Sequence, residues 1–149
     1  MPIAGHFARV THVPDAMLPS RQTQGAAGYD ITPYLTVPVT LAPGTITLLR
    51  TGIKVYVQSG WVLMLVVRSS VGTRRHLAIP HSLGIIDSDY VDNPDNEGEI
   101  MLPLWNFGSA PQTIDPGTRL AQGLFMPYGV TTDDSVLARR QGGFGSTGP

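Results

Sequence analysis

The sequence contains no cysteine. Disulfides, thiolate-held metals and a cysteine nucleophile are thereby excluded. Charge is scarce as well, at 14% of residues, against about 25% in an average globular domain. Ten basic and eleven acidic residues leave a formal charge of −1, so no basic footprint for a nucleic-acid backbone is present. The longest apolar run, Trp61 to Val67, has seven residues, far short of the roughly 20 needed to cross a bilayer. No basic segment followed by an apolar stretch opens the chain, so no secretory signal is expected. Stripes at helical spacing are missing too, because proline or glycine interrupts nearly every window. The expectation is a cytoplasmic protein that engages neither membrane nor nucleic acid.

What the chain has in quantity is turn chemistry: 17 glycines and 13 prolines among 149 residues. Between the turns lie short strand-like runs, at Ala8–Val13, Thr45–Leu49, Ile53–Val57, Trp61–Val67, Ile100–Phe107 and Leu120–Pro127. The Trp61–Val67 run is too continuously apolar for an edge strand, which makes it central. Many short strands with frequent turns predict an all-β sandwich or barrel, with at most a helical turn within Arg68–Arg75. One domain is expected over residues 1–128. From Gly129 no strand pattern is sustained, and residues 129–149 read as a Gly-rich arm, mobile when free because it has little apolar surface to bury. The low charge favours burial of part of the surface in a symmetric oligomer.

Five segments could carry chemistry. In Gly84-Ile85-Ile86-Asp87-Ser88-Asp89-Tyr90, two carboxylates and a tyrosine follow an apolar strand. Taken alone such acids make a solvated turn, yet a carboxylate held at a strand end can orient a water and take its proton. Arg68-Ser69-Ser70-Val71-Gly72 ends the long apolar run; it suits an anion, or is merely a serine-capped turn. Ala27-Gly28-Tyr29-Asp30 and Arg119-Leu120-Ala121-Gln122 say little by themselves. The tail, Gly142-Gly143-Phe144-Gly145-Ser146-Thr147-Gly148, reads as a frayed terminus or as a wrap for a ligand. In the second reading amides and hydroxyls take phosphate oxygens and the ring covers a base. His6, His12, His76 and His81 lack metal-ligand spacing, so a zinc site is not expected.

In order, these segments resemble the five motifs of the trimeric dUTP pyrophosphatases (dUTPases), reading AAGYDI, RSSVG, GIIDSDY, RLAQ and GGFGSTG. The resemblance covers residues 26–148. It implies a distorted β-barrel or jelly roll that forms a homotrimer with active sites between subunits. It also implies hydrolysis of dUTP to dUMP and pyrophosphate, with Mg²⁺ and a water that attacks the α-phosphorus. By position, Asp87 would activate the water, and Tyr90 would lie under the deoxyribose and exclude a 2′-hydroxyl. Arg68, Ser69, Ser70 and Gly72 would bind phosphates from a neighbouring subunit, joined by Gln122, and Asp30 would help hold hydrated Mg²⁺. His81, Gly84 and Ile86 belong to the substrate-binding hairpin. In the arm, Phe144 would cover the uracil, with Gly145, Ser146 and Thr147 near the terminal phosphates.

Departures from the family pattern are as informative. His81 stands where asparagine is usual, and both Arg139 and Arg140 sit near the place of the arm's arginine. Residues 91–97 lengthen the turn between Tyr90 and Gly98-Glu99-Ile100, as in dUTPases of Gram-positive bacteria and their phages. This insertion is polar with no apolar anchor beyond Val91, so it is expected to be exposed and dispensable for chemistry. Two rival readings remain. A dCTP deaminase shares the fold and an RSS-type motif but uses a glutamate to activate water. A nucleotide-sensing regulator would bind a protein partner, with the 91–97 turn as its contact.

Overall fold

The computed structural model describes residues 1–138, 140, 142, 143, 145 and 148. Strands dominate: β1 (Gly5–Arg9), β2 (Tyr29–Ile31), β3 (Val39–Leu41), β4 (Ile46–Arg50), β5 (Ile53–Val57) and β6 (Trp61–Val67) precede one helix, α1 (Ser69–Arg75). Then come β7 (Leu77–Ala78), β8 (Gly84–Ile86), β9 (Met101–Asn106), β10 (Gln112–Ile114) and β11 (Ala121–Pro127). All pairings are antiparallel, in sheets ordered β1-β5, β3-β10, β2-β11-β6-β8 and β4-β9-β7. The all-β, jelly-roll-like class holds, although among the described residues no sheet closes into a barrel. The apolar run of β6 is central, between β11 and β8.

Inward-facing aliphatic residues from every sheet meet in one core that includes Ile31, Leu41, Leu63, Leu102, Ile114 and Leu120, all fully buried. Val55 of β5 joins them. The alternation at Ala8–Val13 is only partly strand. Pairing ends at Arg9, the Val10 amide bonds the Gly52 carbonyl, and Val13 turns into the core. Strands β2, β7, β8 and β10 have two or three residues, too few to show a period. Helix α1 has seven residues, about two turns rather than one, and Val71 is its only buried side chain. Its N-cap is Arg68, which makes no side-chain cap bond, so the serines are not spent as caps.

The expectation of a free, exposed 91–97 insertion fails. Asn93 is buried, and Asn96 and Glu97 are half-buried. Nζ of Lys54, a nearly buried lysine of β5, bonds Asp92 at 2.5 Å and Glu97 at 2.8 Å. The Tyr56 hydroxyl donates to Asp92 at 2.8 Å, and the Thr11 amide and hydroxyl donate to Glu97. The turn closes on Gly98, whose φ of 77° is left-handed; a Cβ there would lie 2.6 Å from the Val91 Cα. Polar residues satisfy one another here in place of an apolar anchor. Only Asp92, Pro94 and Asp95 face solvent.

Candidate active site

The sequence-derived site residues fall into two groups within one chain. The first forms around β2, β11 and the end of β6. Pairing sets Gln122 opposite both Asp30 and Val66, and the Arg68 amide bonds the Leu120 carbonyl. The Asp30 carboxylate is nearly buried and shared by two guanidinium groups: Arg68 Nε lies 3.3 Å from Oδ1, and Arg119 Nη1 donates to Oδ2 at 2.9 Å. One carboxylate between two arginines leaves a net positive charge at Arg68, the residue before exposed Ser69 and Ser70 on the first turn of α1. Fixed guanidinium forks of this kind suit phosphate oxygens. Gly28 packs so closely on Gln122 that an added Cβ would collide with its amide. A Cβ added at Gly72 would make only ordinary contacts, with the Leu77 carbonyl and Val67 at 3.9 Å.

The second group surrounds a cavity of about 340 Å³ lined by Leu65, His81, Gly84, Ile86, Tyr90 and Arg140, with Gly143 and Gly145 at its mouth. Pairing of β8 with β6 sets Gly84 against Leu65, where a Cβ would come within 3.1 Å of the Leu65 Cβ. A methyl group there would fit only if the Leu65 side chain shifted by a few tenths of an ångström. Directly after β8 stands Asp87, half-buried. Arg140 from the arm donates to Asp87, and its Nε donates to Asp89 at 3.0 Å. The same guanidinium lies 5.9 Å from the centre of the Tyr90 ring. Tyr90 is buried; its hydroxyl donates to the Glu99 carbonyl at 2.8 Å and accepts from Asn96 Nδ2 at 2.9 Å. Burial pushes the phenol above its ordinary value, against the opposing effect of the Asn96 bond.

Among the described residues no hydrogen bond or ion pair joins the two groups. Ile86 pairs with Leu63 near the start of β6, while Arg68 follows its end. At about 3.3 Å per residue, that separates Asp87 from Arg68 by roughly 15–20 Å.

The family model described as dUTPase matches residues 15–148. The chain belongs to the dUTPase family. A deoxyuridine 5'-triphosphate nucleotidohydrolase of Lactococcus lactis is 44% identical over 133 residues, covering 88% of this chain and 87% of its own length. That of Hahella chejuensis is 38% identical over 137 residues, covering 88% and 86%. The crystal structure of dUTPase from Streptococcus mutans superposes with a TM-score of 0.78 at 38% identity, over 85% of this chain and 98% of that one. The dUTPase of phage phi11 of S. aureus shares the fold at 22% identity, with a TM-score of 0.72 over 91% and 97%.

Sequence reading noted Arg119 and Asp89 within their segments but gave no role to Arg119, which shares Asp30, or to Asp89, the second anchor of Arg140. Apolar cavity residues such as Leu65, Ile79 and Met101 were also missed. Arg140 is the arm arginine that reaches Asp87. Arg139, Phe144, Ser146 and Thr147 lie outside the described residues. No three carboxylates or imidazoles converge on one point among the described residues. A hydrated Mg²⁺ that arrives on phosphates, touching one carboxylate through water, fits this donor set; an all-protein cage does not.

Proposed function

We propose that the protein hydrolyses dUTP to dUMP and pyrophosphate, at sites completed between the subunits of a homotrimer. The observation that carries this reading is Asp87, a half-buried carboxylate that directly follows Ile86 of the cavity lining and is bonded by Arg140 of the same lining, beside Tyr90, in a chain of the dUTPase family. The uracil enters beneath His81, Gly84 and Ile86, and the deoxyribose lies on Tyr90. Asp87 then takes the proton of a water whose oxygen attacks the α-phosphorus. The bond to the bridging oxygen breaks, and pyrophosphate leaves with the electron pair. Arg68, Ser69, Ser70, Gly72 and Gln122 bind the phosphates as a fixed cationic cradle, which matters most as charge develops on the leaving group. Bound Mg²⁺ supplies charge neutralisation on the phosphates, and Asp30 orients its water shell.

Two features support sharing of sites. The backbone separation of Asp87 from Arg68, roughly 15–20 Å along β6, favours a site in which one chain's base works with another chain's cradle. The β4-β9-β7 sheet also leaves Ile46, Leu48, Trp105 and Phe107 exposed, an apolar surface suited to burial against a second copy. Arg140 exchanges Asp87 for phosphate as the arm closes, with Phe144 over the base and Gly145, Ser146 and Thr147 near the terminal phosphates. A cytoplasmic setting suits an enzyme that supplies dUMP and limits uracil in DNA.

The test is turnover of dUTP with Mg²⁺ beside dCTP, dTTP and UTP, with sedimentation of the same sample. Pyrophosphate release confined to dUTP from a trimer is expected. Deamination of dCTP, or full activity in a monomer, would overturn the reading.

A further inference from the structure

The 91–97 insertion grips Tyr90 at both ends. Asn93 Nδ2 donates to the Tyr90 carbonyl at 2.8 Å, and Asn96 Nδ2 donates to the Tyr90 hydroxyl at 2.9 Å. The amide oxygens face the other way, into the turn. Asn93 Oδ1 accepts from the amides of Asp95 and Asn96, and Asn96 Oδ1 accepts from Asn93 Nδ2 and the Gly98 amide. The turn is itself fastened to β5 at both of its ends, through Asp92 and Glu97 on Lys54. An unbroken polar chain therefore runs from a nearly buried lysine on a core strand to the phenol at the cavity wall.

We propose that Asn96, held by this turn, is a positioning residue that fixes the Tyr90 ring and thereby sets how well the site distinguishes 2′-deoxyribose from ribose nucleotides. The inference rests on the reading that Tyr90 lies beside the sugar. Rejecting one additional hydroxyl is a demanding task for an apolar wall, because the whole penalty is steric and a wall that yields by a fraction of an ångström loses it. Tyr90 has few ways to resist by packing alone, since one edge faces the cavity and the arm at Gly143 covers another. With its carbonyl and hydroxyl both tied, the side chain cannot swing about its Cα–Cβ bond. The insertion is then a brace for specificity, and its residues never touch the nucleotide.

The test compares kcat/KM for UTP and dUTP in Asn96→Ala, Tyr90→Phe, the double variant and Tyr90→Ala. Tyr90→Phe breaks the same hydrogen bond, together with the one to the Glu99 carbonyl, and leaves the side chains of the turn in place, so it guards against a turn that fails to form in Asn96→Ala. Each of the two single changes is expected to raise the UTP-to-dUTP ratio by about tenfold, the worth of one buried hydrogen bond. The double variant should show no more than Tyr90→Phe alone, because the hydroxyl that Asn96 holds is already gone there. A role confined to stability would lower both substrates alike and leave the ratio fixed, which would overturn the proposal, as would effects that multiply in the double variant. An unchanged ratio in Tyr90→Ala would instead show that Tyr90 is not the sugar wall, so the underlying reading and the proposal would fall together.

Discussion

The guanidinium of Arg140 donates a hydrogen bond to the carboxylate of Asp87, which lies 53 positions earlier in the chain. A second bond runs to Asp89, so one arm residue covers both acids at the cavity mouth. The arm's cation thus occupies the carboxylate that, in the proposed function, would receive the water's proton. Substrate phosphates would compete for that cation, and arm rearrangement would then free the carboxylate.

Arg140→Ala should raise KM for dUTP by about 10–100-fold, the usual cost of losing hydrogen bonds to charged groups. Arg140→Lys should recover little, because an ammonium cannot span two carboxylates as a planar fork does. Steady-state kinetics on both variants check this.

Asp87→Asn should bind a non-hydrolysable dUTP analogue with near-normal affinity. Its single-turnover rate should fall at least about a hundredfold, as expected for loss of a general base. Normal turnover would remove Asp87 from the mechanism.

At Gly143 an added Cβ would lie 2.7 Å from Cε2 of Tyr90, and the tethered ring has no room to retreat. Gly143→Ala should lift the arm, lowering kcat/KM by about tenfold in line with the usual cost of overpacking. The melting temperature should hold, since none of the described arm residues belongs to a strand. Removing residues 142–149 should depress activity further and still leave a folded trimer.

The insertion should be sensitive to acid. Hydrogen bonds from Lys54 and then Thr11 pull Glu97 down to about 2, and Lys54 and then Tyr56 lower Asp92. Depressed carboxylates stabilise the fold fully above their ordinary range near pH 4, and that contribution drains away as pH falls toward 2. Lys54 is raised by the same carboxylates against the pull of its burial, so its share is lost only in strong alkali. The melting temperature should therefore fall steeply between pH 4.5 and about 2.5. Asp92→Asn with Glu97→Gln should melt lower at pH 7 and show a shallower decline. Parallel melting curves would show that these contacts do not contribute.

Much of this was legible in the sequence because it is local. The seven apolar residues of β6 announce a central strand, and Gly84 to Tyr90 carries two cavity-lining residues, the carboxylate that Arg140 bonds and the buried tyrosine in one stretch. What was illegible is what pairing creates. Asp30 meets Arg68 and Arg119 only because β2 and β11 lie side by side, and nothing near Arg119 distinguishes it from a solvated arginine. The 91–97 turn misled for a different reason. Its asparagines and acids look solvent-directed by type, yet all but Asp95 find a polar partner supplied by Lys54, Thr11 or Tyr90. Burial by mutual satisfaction leaves no apolar signal to read.

The order of strands in the largest sheet also governs how the chain must fold. Strand β11 lies between β2 and β6, and Ala121 pairs with Ile31, 90 residues earlier. Ile114 likewise closes on Val39. During synthesis β2 emerges early, with its hydrogen-bonding edges bare, and waits while most of the domain is made. Loops of that length place folding in the slow, millisecond-to-second class, and bare edges invite the wrong neighbour. The ribosome must deliver nearly the whole domain before this sheet can assemble, because its keystone is the last of the described strands to appear.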